Sequence, residues 1–461
     1  MNLIAKRENA RTLASALGIA EDAAMDLLAA SVAITHRATD NAGRGFAEHV
    51  RRMIGRTVAR VILEGDTSEK VAVELVIGDA EPRFESPRLY ASMSGHEVVI
   101  GGTPGGQNSR LMHPVGILLG ASYAVGAMLK KTFNDLLPFP PTNSLNINLI
   151  ELLGDDLRFL SETVNIDESF LVGAGAVGNG FAYALREFKA RGVLHVVDDD
   201  FVSGGNLQRC IYFDESQEGL NKCDCLCAAI AGDMPNVKAI PHKARLQDIK
   251  EKKAGPWLKR LIVAVDSPRA RRSLQTEIPR EVYDASTTGI SEIVFHFHSQ
   301  PTELACLSCA YHESPEELAH EKHVAEALGV SLADVRTERI SPETACAIQS
   351  RNPQFLVEEL TGLAYDTLFK KMCATGKLLT PEGRQVLAPF AFVSVLAGTI
   401  LAIEFVRRIH NQDRQAFNDW CISPWANPVL RRRRNLQKRT DCEFCGDERI
   451  ARVLKTFWAA A

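Results

Sequence analysis

The chain reads as an α/β protein built on a mostly parallel sheet with flanking helices. Three observations predict this. Short apolar runs at 169–173, 193–198 and 261–266 alternate with helical segments, which is the rhythm of strand, crossover helix and parallel strand. The first run ends in Gly173-Ala174-Gly175-Ala176-Val177-Gly178, a G-x-G-x-x-G turn of the kind that opens a helix. At 461 residues, with 46% hydrophobic content, the chain can fill the cores of two or three domains.

Residues 1–144 predict a separate N-terminal domain. Helical patterning comes first, then strand-like runs at 71–77 and 97–100, then a turn-rich gap over 101–109. An apolar helix is expected over 114–129, closed by Lys130 and Lys131. The later segment 389–408 has the same design, starting with proline and ending in basic residues, which suggests an internal duplication. The proline-rich stretch 136–143 reads as a linker. Residues 145–310 predict the first part of the sheet domain, 311–385 a polar helical insertion, and 386–461 the return of the sheet domain. Within that last part, 386–403 is uncharged and long enough for a membrane helix to be considered. Pro389 and Gly398 interrupt it and charges follow closely, so a helix buried in the protein core is the better reading.

The stretch from Gly173 to Lys222 carries the chemistry. Gly173, Gly175 and Gly178 let phosphate approach backbone N–H groups, and the following helix N-terminus adds partial positive charge. Asp198 ends the next apolar run, where such folds place a carboxylate on a nucleotide ribose. Such a loop also serves dinucleotide oxidoreductases, so it does not decide the chemistry alone. The following residues separate the readings. Asn206-Leu207-Gln208-Arg209 and Lys222 supply donors and cations, which phosphoryl or adenylyl transfer uses against developing charge and an oxidoreductase leaves unexplained.

Two C-x-x-C pairs, Cys306/Cys309 and Cys442/Cys445, make a complete tetrahedral set for a structural zinc. Cys223, Cys225 and Cys227 do not share one helical face and read as small packed residues, and neither Cys210 nor Cys421 has an assignable partner. Cys346 and Cys373 fall in the insertion. Eleven cysteines and no signal-like N-terminus predict a reducing, cytoplasmic setting. The net charge of −4 gives no nucleic-acid signature, and the basic run Arg431 to Arg434 reads as a solvated edge or loop. Neither a nucleic-acid nor a membrane partner is expected.

In order, the glycine loop, strand-end Asp198, Asn206/Arg209 box, Lys222, second strand-end Asp266 and paired C-x-x-C resemble the ThiF/MoeB and ubiquitin-activating-enzyme superfamily. The resemblance covers roughly residues 165–310 and 386–446. It implies a Rossmann-like adenylation domain that binds ATP and magnesium and adenylates the C-terminal carboxylate of a ubiquitin-like protein, releasing pyrophosphate. It further implies that Arg209 and Lys222 screen the phosphates, Asp198 fixes the ribose, Asn206 orients the phosphates and Asp266 holds magnesium.

Relatives that pass the carrier to a conjugating enzyme do so from a cysteine thioester near the crossover into the buried helix. Here Gly383-Arg384-Gln385 precede that helix without a cysteine. Cys373 is the expected thiol for its closeness to the crossover, ahead of Cys346, whose Cys-Ala-Ile faintly resembles the Cys-Thr-Ile of some relatives. The arginine that relatives bring from a partner half has no clear Arg-x-x-x-Arg-Gln match, leaving Arg7, Arg11, Arg51 and Arg52 as sources. A short N-terminal domain, read as a degenerate adenylation half, before an active one looks like the activating enzymes of bacterial ubiquitin-like conjugation operons, some linked to anti-phage defence. Homodimeric assembly is one arrangement this allows. The runner-up is sulfur-carrier or peptide adenylation with no thioester, ahead of a dinucleotide-binding oxidoreductase and a scaffold with a dead nucleotide fold.

Overall fold

The computed structural model describes residues 2–63, 67–108, 112–140, 144–249, 255–337, 339–363, 365, 368, 369, 372, 388–410 and 417–459. It divides into two compact units, Met1–Tyr311 with Ala388–Ala461, and His312–Leu387.

The first unit holds two sheets that share one plan. The N-terminal sheet contains β1 (Ser31–Thr35), β2 (Arg60–Ile62), β3 (Glu74–Ile77), β4 (Arg88–Ser94), β5 (Glu97–Gly101) and β6 (Ser144–Asn148), in the order β2-β1-β3-β4-β5-β6. Its first four strands run parallel, and β5 and β6 are antiparallel additions. The second sheet contains β7 (Thr163–Val172), β8 (Lys189–Val197), β9 (Val237–His242), β10 (Arg260–Val263), β11 (Glu281–Thr288), β12 (Glu292–Ser299), β13 (Asp419–Ile422) and β14 (Arg432–Arg434). Its order is β9-β8-β7-β10-β11-β12-β13-β14, parallel through β11 and antiparallel beyond. Removing the end strands β9 and β14 leaves the order and directions of the first sheet.

The helices repeat as well. The first half has α1 (Leu3–Leu17), α2 (Glu21–Leu28), α3 (Asn41–Ile54), α4 (Pro114–Thr132) and α5 (Leu149–Leu153). The second has α6 (Ala176–Leu185), α7 (Lys222–Asp233), α8 (Pro268–Gln275) and α9 (Leu307–Ala310). The second unit follows, with α10 (Pro315–Leu328), α11 (Leu332–Arg336), α12 (Pro342–Arg351) and α13 (Val357–Leu360), and the chain then returns with α14 (Ala391–Ile409) and α15 (Glu448–Ala459). Thus α3 links β1 to β2 as α6 links β7 to β8. Likewise α4 precedes β6 as α14 precedes β13. Both α4 and α14 are buried over most of their length, α14 packs against α4 and α6, and one apolar core spans both halves. The likeness of 114–129 and 389–408 therefore has a matching pair of places in the fold.

Apolar patterning explains the central strands. Ser169 to Val172 of β7 and all of β10 are buried, as strands covered on both faces must be. The register sets Val172 beside Val197 and Val263, so the turns after β7, β8 and β10 emerge together at one sheet edge.

Several expectations shift. The proline-rich stretch 136–143 packs on the fold where it is described: Phe139 stacks on Trp425 with ring centroids 4.6 Å apart, and the buried Lys130 donates to the Pro140 carbonyl. Residues 141–143 lie outside the described residues. The strand expected over 71–77 is only β3, and the helix expected over 114–129 takes in both lysines. Helix α15 was not expected at all. The basic run holds the edge strand β14, whose arginines blunt an edge open to pairing. No described helix is long and apolar enough to cross a membrane.

The second unit packs around Val324, Leu328, Ile340, Ile348, Leu368 and Phe369. Ser314, Ser331 and Ser341 cap its helices through side-chain oxygens.

Candidate nucleotide site and cysteine cluster

The turn from β7 into α6 is shaped by its glycines. Gly173 has φ +100°, and a Cβ there would lie 2.6 Å from the Ala264 carbonyl oxygen at the end of β10. Around Gly175, the N-cap of α6, a Cβ would meet nothing within 4 Å, so the space before the helix N-terminus is open. A Cβ on Gly178 would sit 2.0 Å from the Gly173 carbonyl oxygen, so the helix can begin this close to the strand only without one.

Asp198 closes the turn from the side. Its Oδ2 accepts from the Ala174 N–H at 2.7 Å and its Oδ1 from the Asp200 N–H at 2.9 Å. The residue expected on the ribose is thus first a brace for the glycine loop, with lone pairs left over for further donors. Asp200 takes another role, accepting from Lys222 Nζ at 3.0 Å at the start of α7. Burial pushes the Asp198 carboxyl upward, against the pull of Lys222. Burial also works to discharge Lys222, but Asp198 and Asp200 outweigh it and hold the ammonium above its ordinary value. The result is a charged lysine and two acids close to the open glycine turn.

The Asn206/Arg209 box forms a short 3₁₀ turn, Gly204–Asn206. Asn206 Oδ1 caps it, accepting from the Ser203 N–H at 2.9 Å, which leaves the amide NH₂ to donate elsewhere. Arg209 donates to the Gly205 carbonyl at 2.8 Å. Asp266 follows β10 in the turn before α8, one residue beyond Val265, whose backbone nitrogen would lie 3.0 Å from a Cβ on Gly173. Behind it, Arg271 pairs with the fully buried Asp284 at 2.8 Å, and Tyr311 also donates to that carboxylate. Glycine loop, Asp198 and Asp266 therefore sit on adjacent strand ends, and hydrogen bonds through Asp200 tie Lys222 to them.

The four cysteines meet although 136 residues separate the pairs. Sγ–Sγ distances are 3.8 Å for Cys306–Cys309, 3.8 Å for Cys306–Cys442 and 3.2 Å for Cys309–Cys445. All four ligand atoms lie within 4.8 Å of one another, and tetrahedral zinc–thiolate bonds of about 2.3 Å imply edges of about 3.8 Å. Pairing of Ala305 with Leu436 and cover from Phe444 and Leu454 complete this small core. Elsewhere Cys210, Cys223, Cys225 and Cys227 are buried. Cys346 is exposed on α12, and Cys373 lies outside the described residues.

Two contributors escaped the sequence reading. Asp200 stood in the acidic run beside Asp198 without a role. Asn179, a buried amide in the apolar α6, donates to the Ala174 and Gly175 carbonyls at 2.8 and 3.0 Å and accepts from the Tyr212 N–H at 3.1 Å. Its polarity within an apolar helix was the available signal.

Comparison with known proteins agrees with this geometry. The ThiF family model matches residues 146–444, and the E1 N-terminal domain model matches residues 2–144. The chain belongs to the ThiF family. Among curated proteins it is similar to the uncharacterized protein y4jF of Sinorhizobium fredii, 30% identical over 55% of this chain and 51% of that one. It is also similar to the SAMP-activating enzyme E1 of Haloferax volcanii, 30% identical over 34% of this chain and 57% of that one. With the Nedd8-activating enzyme E1 catalytic subunit of Drosophila melanogaster it shares 28% identity over 21% of each. The chain thus spans less than two thirds of each relative. A solved structure of E. coli MccB with ATP aligns at 12% identity over 78% of this chain and 98% of that one, with a TM-score of 0.39.

Proposed function

We propose that the chain is an ATP-dependent activating enzyme that adenylates the C-terminal carboxylate of a ubiquitin-like protein. The observation carrying this reading is the convergence of an open glycine turn, a charged Lys222 fixed by Asp200, and Asp266 around neighbouring strand ends. Carboxylate oxygen attacks the α-phosphorus, and the bond to pyrophosphate breaks. Lys222, Arg209 and the Asn206 amide meet the negative charge that develops there. Asp266 has the donor chemistry to hold magnesium, which would neutralise phosphate charge. The nearby carboxylates Asp198 and Asp200, just past the end of β8, also fit a cation-carrying nucleotide better than a bare anion.

The accessory cation comes from α1 in this reading. That helix packs against the Gly204–Asn206 turn, with Glu8 Cγ 3.9 Å from a Cβ built on Gly205. Arg7 is exposed on it, whereas Arg11 pairs with Glu8, Arg51 pairs with Glu48, and Arg52 lies over Tyr183 and Tyr212. Residues 1–144 then act as a diverged adenylation half without a nucleotide of its own. A thiolate of the insertion next attacks the acyl-adenylate, forming a thioester and releasing AMP, before transfer to a conjugating enzyme. Cys346 is the exposed thiol among the described residues, and Cys373 is the other acceptor. The cysteine cluster is assigned to zinc.

Exchange of labelled pyrophosphate into ATP, stimulated by a candidate ubiquitin-like protein, tests the first step. It should be present in the wild type and lost in Lys222→Ala and Asp266→Ala; full exchange in both variants sinks the assignment. A reductant-sensitive conjugate that survives in both Cys346→Ala and Cys373→Ala rules out either thiol. Exchange without any such conjugate favours adenylation alone.

A further inference from the structure

The segment running from Leu207, within the Asn206/Arg209 box, to Phe213 is held by an arginine from the other half of the unit. Arg56 lies in the turn between α3 and β2, and its guanidinium donates to three main-chain carbonyls, those of Leu207, Ile211 and Phe213. The bonds to Ile211 and Phe213 are both 2.9 Å. Among the described residues no carboxylate lies within ion-pair distance of Arg56, so these carbonyls are its counter-groups. Burial pushes the guanidinium down to about 10, which still leaves it charged at neutral pH. Three carbonyls that a fork-shaped cation satisfies together would lose their partner with it, and buried unpaired carbonyls are costly.

The brace extends in both directions. Asn9 of α1 donates to the Arg56 carbonyl at 2.6 Å, which ties the turn to the helix that carries Arg7. On the other side, the Tyr212 N–H, within the gripped segment, donates to Asn179, and Asn179 donates to the Ala174 and Gly175 carbonyls of the glycine loop. One hydrogen-bonded path therefore runs from α1 through Arg56 and residues 207–213 to the phosphate turn. Arg56 itself bonds only to main-chain carbonyls of that segment and not to the glycine loop.

We propose that Arg56 is a positioning residue through which the N-terminal half sets the register of the Asn206/Arg209 box against the glycine loop, so that phosphate binding in the second half depends on the first. The inference rests on the nucleotide-site reading above. It assigns the N-terminal half a structural duty at the site, separate from any cation it delivers.

Direct binding of ATP and of adenosine to the full chain tests this without a carrier protein. Wild type, Arg56→Gln and Arg56→Lys are compared by calorimetry for ATP and by competition for adenosine. Arg56→Gln should bind ATP about tenfold more weakly with adenosine affinity unchanged, because the base and ribose side does not rely on the gripped segment. Arg56→Lys, which keeps the charge but not the fork, should fall between. Equal weakening of both ligands reduces Arg56 to general structural support and overturns the inference, as does unchanged ATP affinity in the variants. If Arg56→Gln does not fold, Arg56→Lys is read by the same criteria. A wild type that binds no ATP overturns the nucleotide-site reading and this inference together, whereas an indifferent variant of an ATP-binding wild type overturns this inference alone.

Discussion

The two sheets of the large unit keep the same strand order and directions but treat the end of their first strand in opposite ways. In the second half the chain passes from Val172 to Ala176 through glycines, and the helix N-terminus faces open space. In the first half it passes from Thr35 to Asn41 through His36, Arg37, Ala38, Thr39 and Asp40, with no glycine. Asp40 caps α3, accepting from the Gly43 N–H at 2.9 Å and from Asn108 Nδ2 at 2.5 Å. A carboxylate thus sits where phosphate would need donors, and the helix dipole is already answered. The comparison teaches that one strand order can be kept while the first turn changes its character, open to an anion in the second half and already filled by an acid in the first.

The cysteine cluster is the sharpest asymmetry, since among the described residues only the second half has one. Metal analysis should find about one zinc per chain, and Cys309→Ser should lose it. Loss should lower stability by several kcal/mol, because a metal held by all four thiolates would join Cys306/Cys309 to the C-terminal segment. Thermal unfolding with and without a chelator measures this. Full stability without metal would make the cysteines a packed cluster only.

The next largest effect concerns the turns themselves. Lys222→Ala should reduce pyrophosphate exchange by at least roughly a hundredfold, or about 3 kcal/mol, as for loss of one preorganised group facing transition-state charge. Asp40→Ala should leave exchange within about twofold and cost only about 1 kcal/mol of stability through the lost cap. Titration should give one nucleotide per chain in both. An exchange defect in Asp40→Ala matching that of Lys222→Ala would break the comparison, because the first half would then have a site.

Packing offers a third contrast, this time between glycines. A Cβ on Gly398 of α14 would lie 2.1 Å from the backbone carbon of Gly180 in α6, so neither helix can yield locally. On Gly120 of α4 a Cβ would meet the Val98 methyls at 2.7 and 2.9 Å, a contact with a side chain rather than with backbone, which a small shift of Val98 relieves. Gly398→Ala should therefore cost about 3 kcal/mol and Gly120→Ala about 1 kcal/mol, read from denaturant midpoints. Equal costs would mean that α14 can shift as readily as Val98 can.

The sequence disclosed the second half far better than the first. The runs around Phe170, Leu194 and Leu261 are apolar enough to be strands at sight, whereas β2 is three residues long within a stretch that looks helical. Prolines near Phe139 signal a turn locally, but its partial burial depends on Trp425, far along the chain. At the site, the glycines, Asp198 and Lys222 announce their chemistry by residue type. Arg56 does not, because its partners are main-chain carbonyls about 150 residues away, and a carbonyl leaves no mark on a sequence. Asp198 was legible as a carboxylate at a strand end but not as a brace, since that depends on where Ala174 turns its N–H.

The smallest effect reports on how the halves meet. His49 of α3 is buried, with Nδ1 2.9 Å from the Tyr183 hydroxyl oxygen of α6 and Arg186 over the same ring. Burial pushes its imidazole down to about 3 from 6.5, helped by the Arg186 charge. The unfolded chain therefore binds a proton below pH 6.5 that the folded one refuses until about pH 3. Stability from the neutral ring is complete above pH 6.5 and is lost as pH falls toward 3. Between pH 7.5 and 5.5 the loss is roughly 1 kcal/mol, and His49→Gln, which cannot titrate, should show a decline smaller by about that amount. Urea unfolding at the two pH values checks it. An unchanged decline would mean that the ring already protonates within the fold, and hence that water reaches the seam between α3 and α6, where the two halves are expected to be dry.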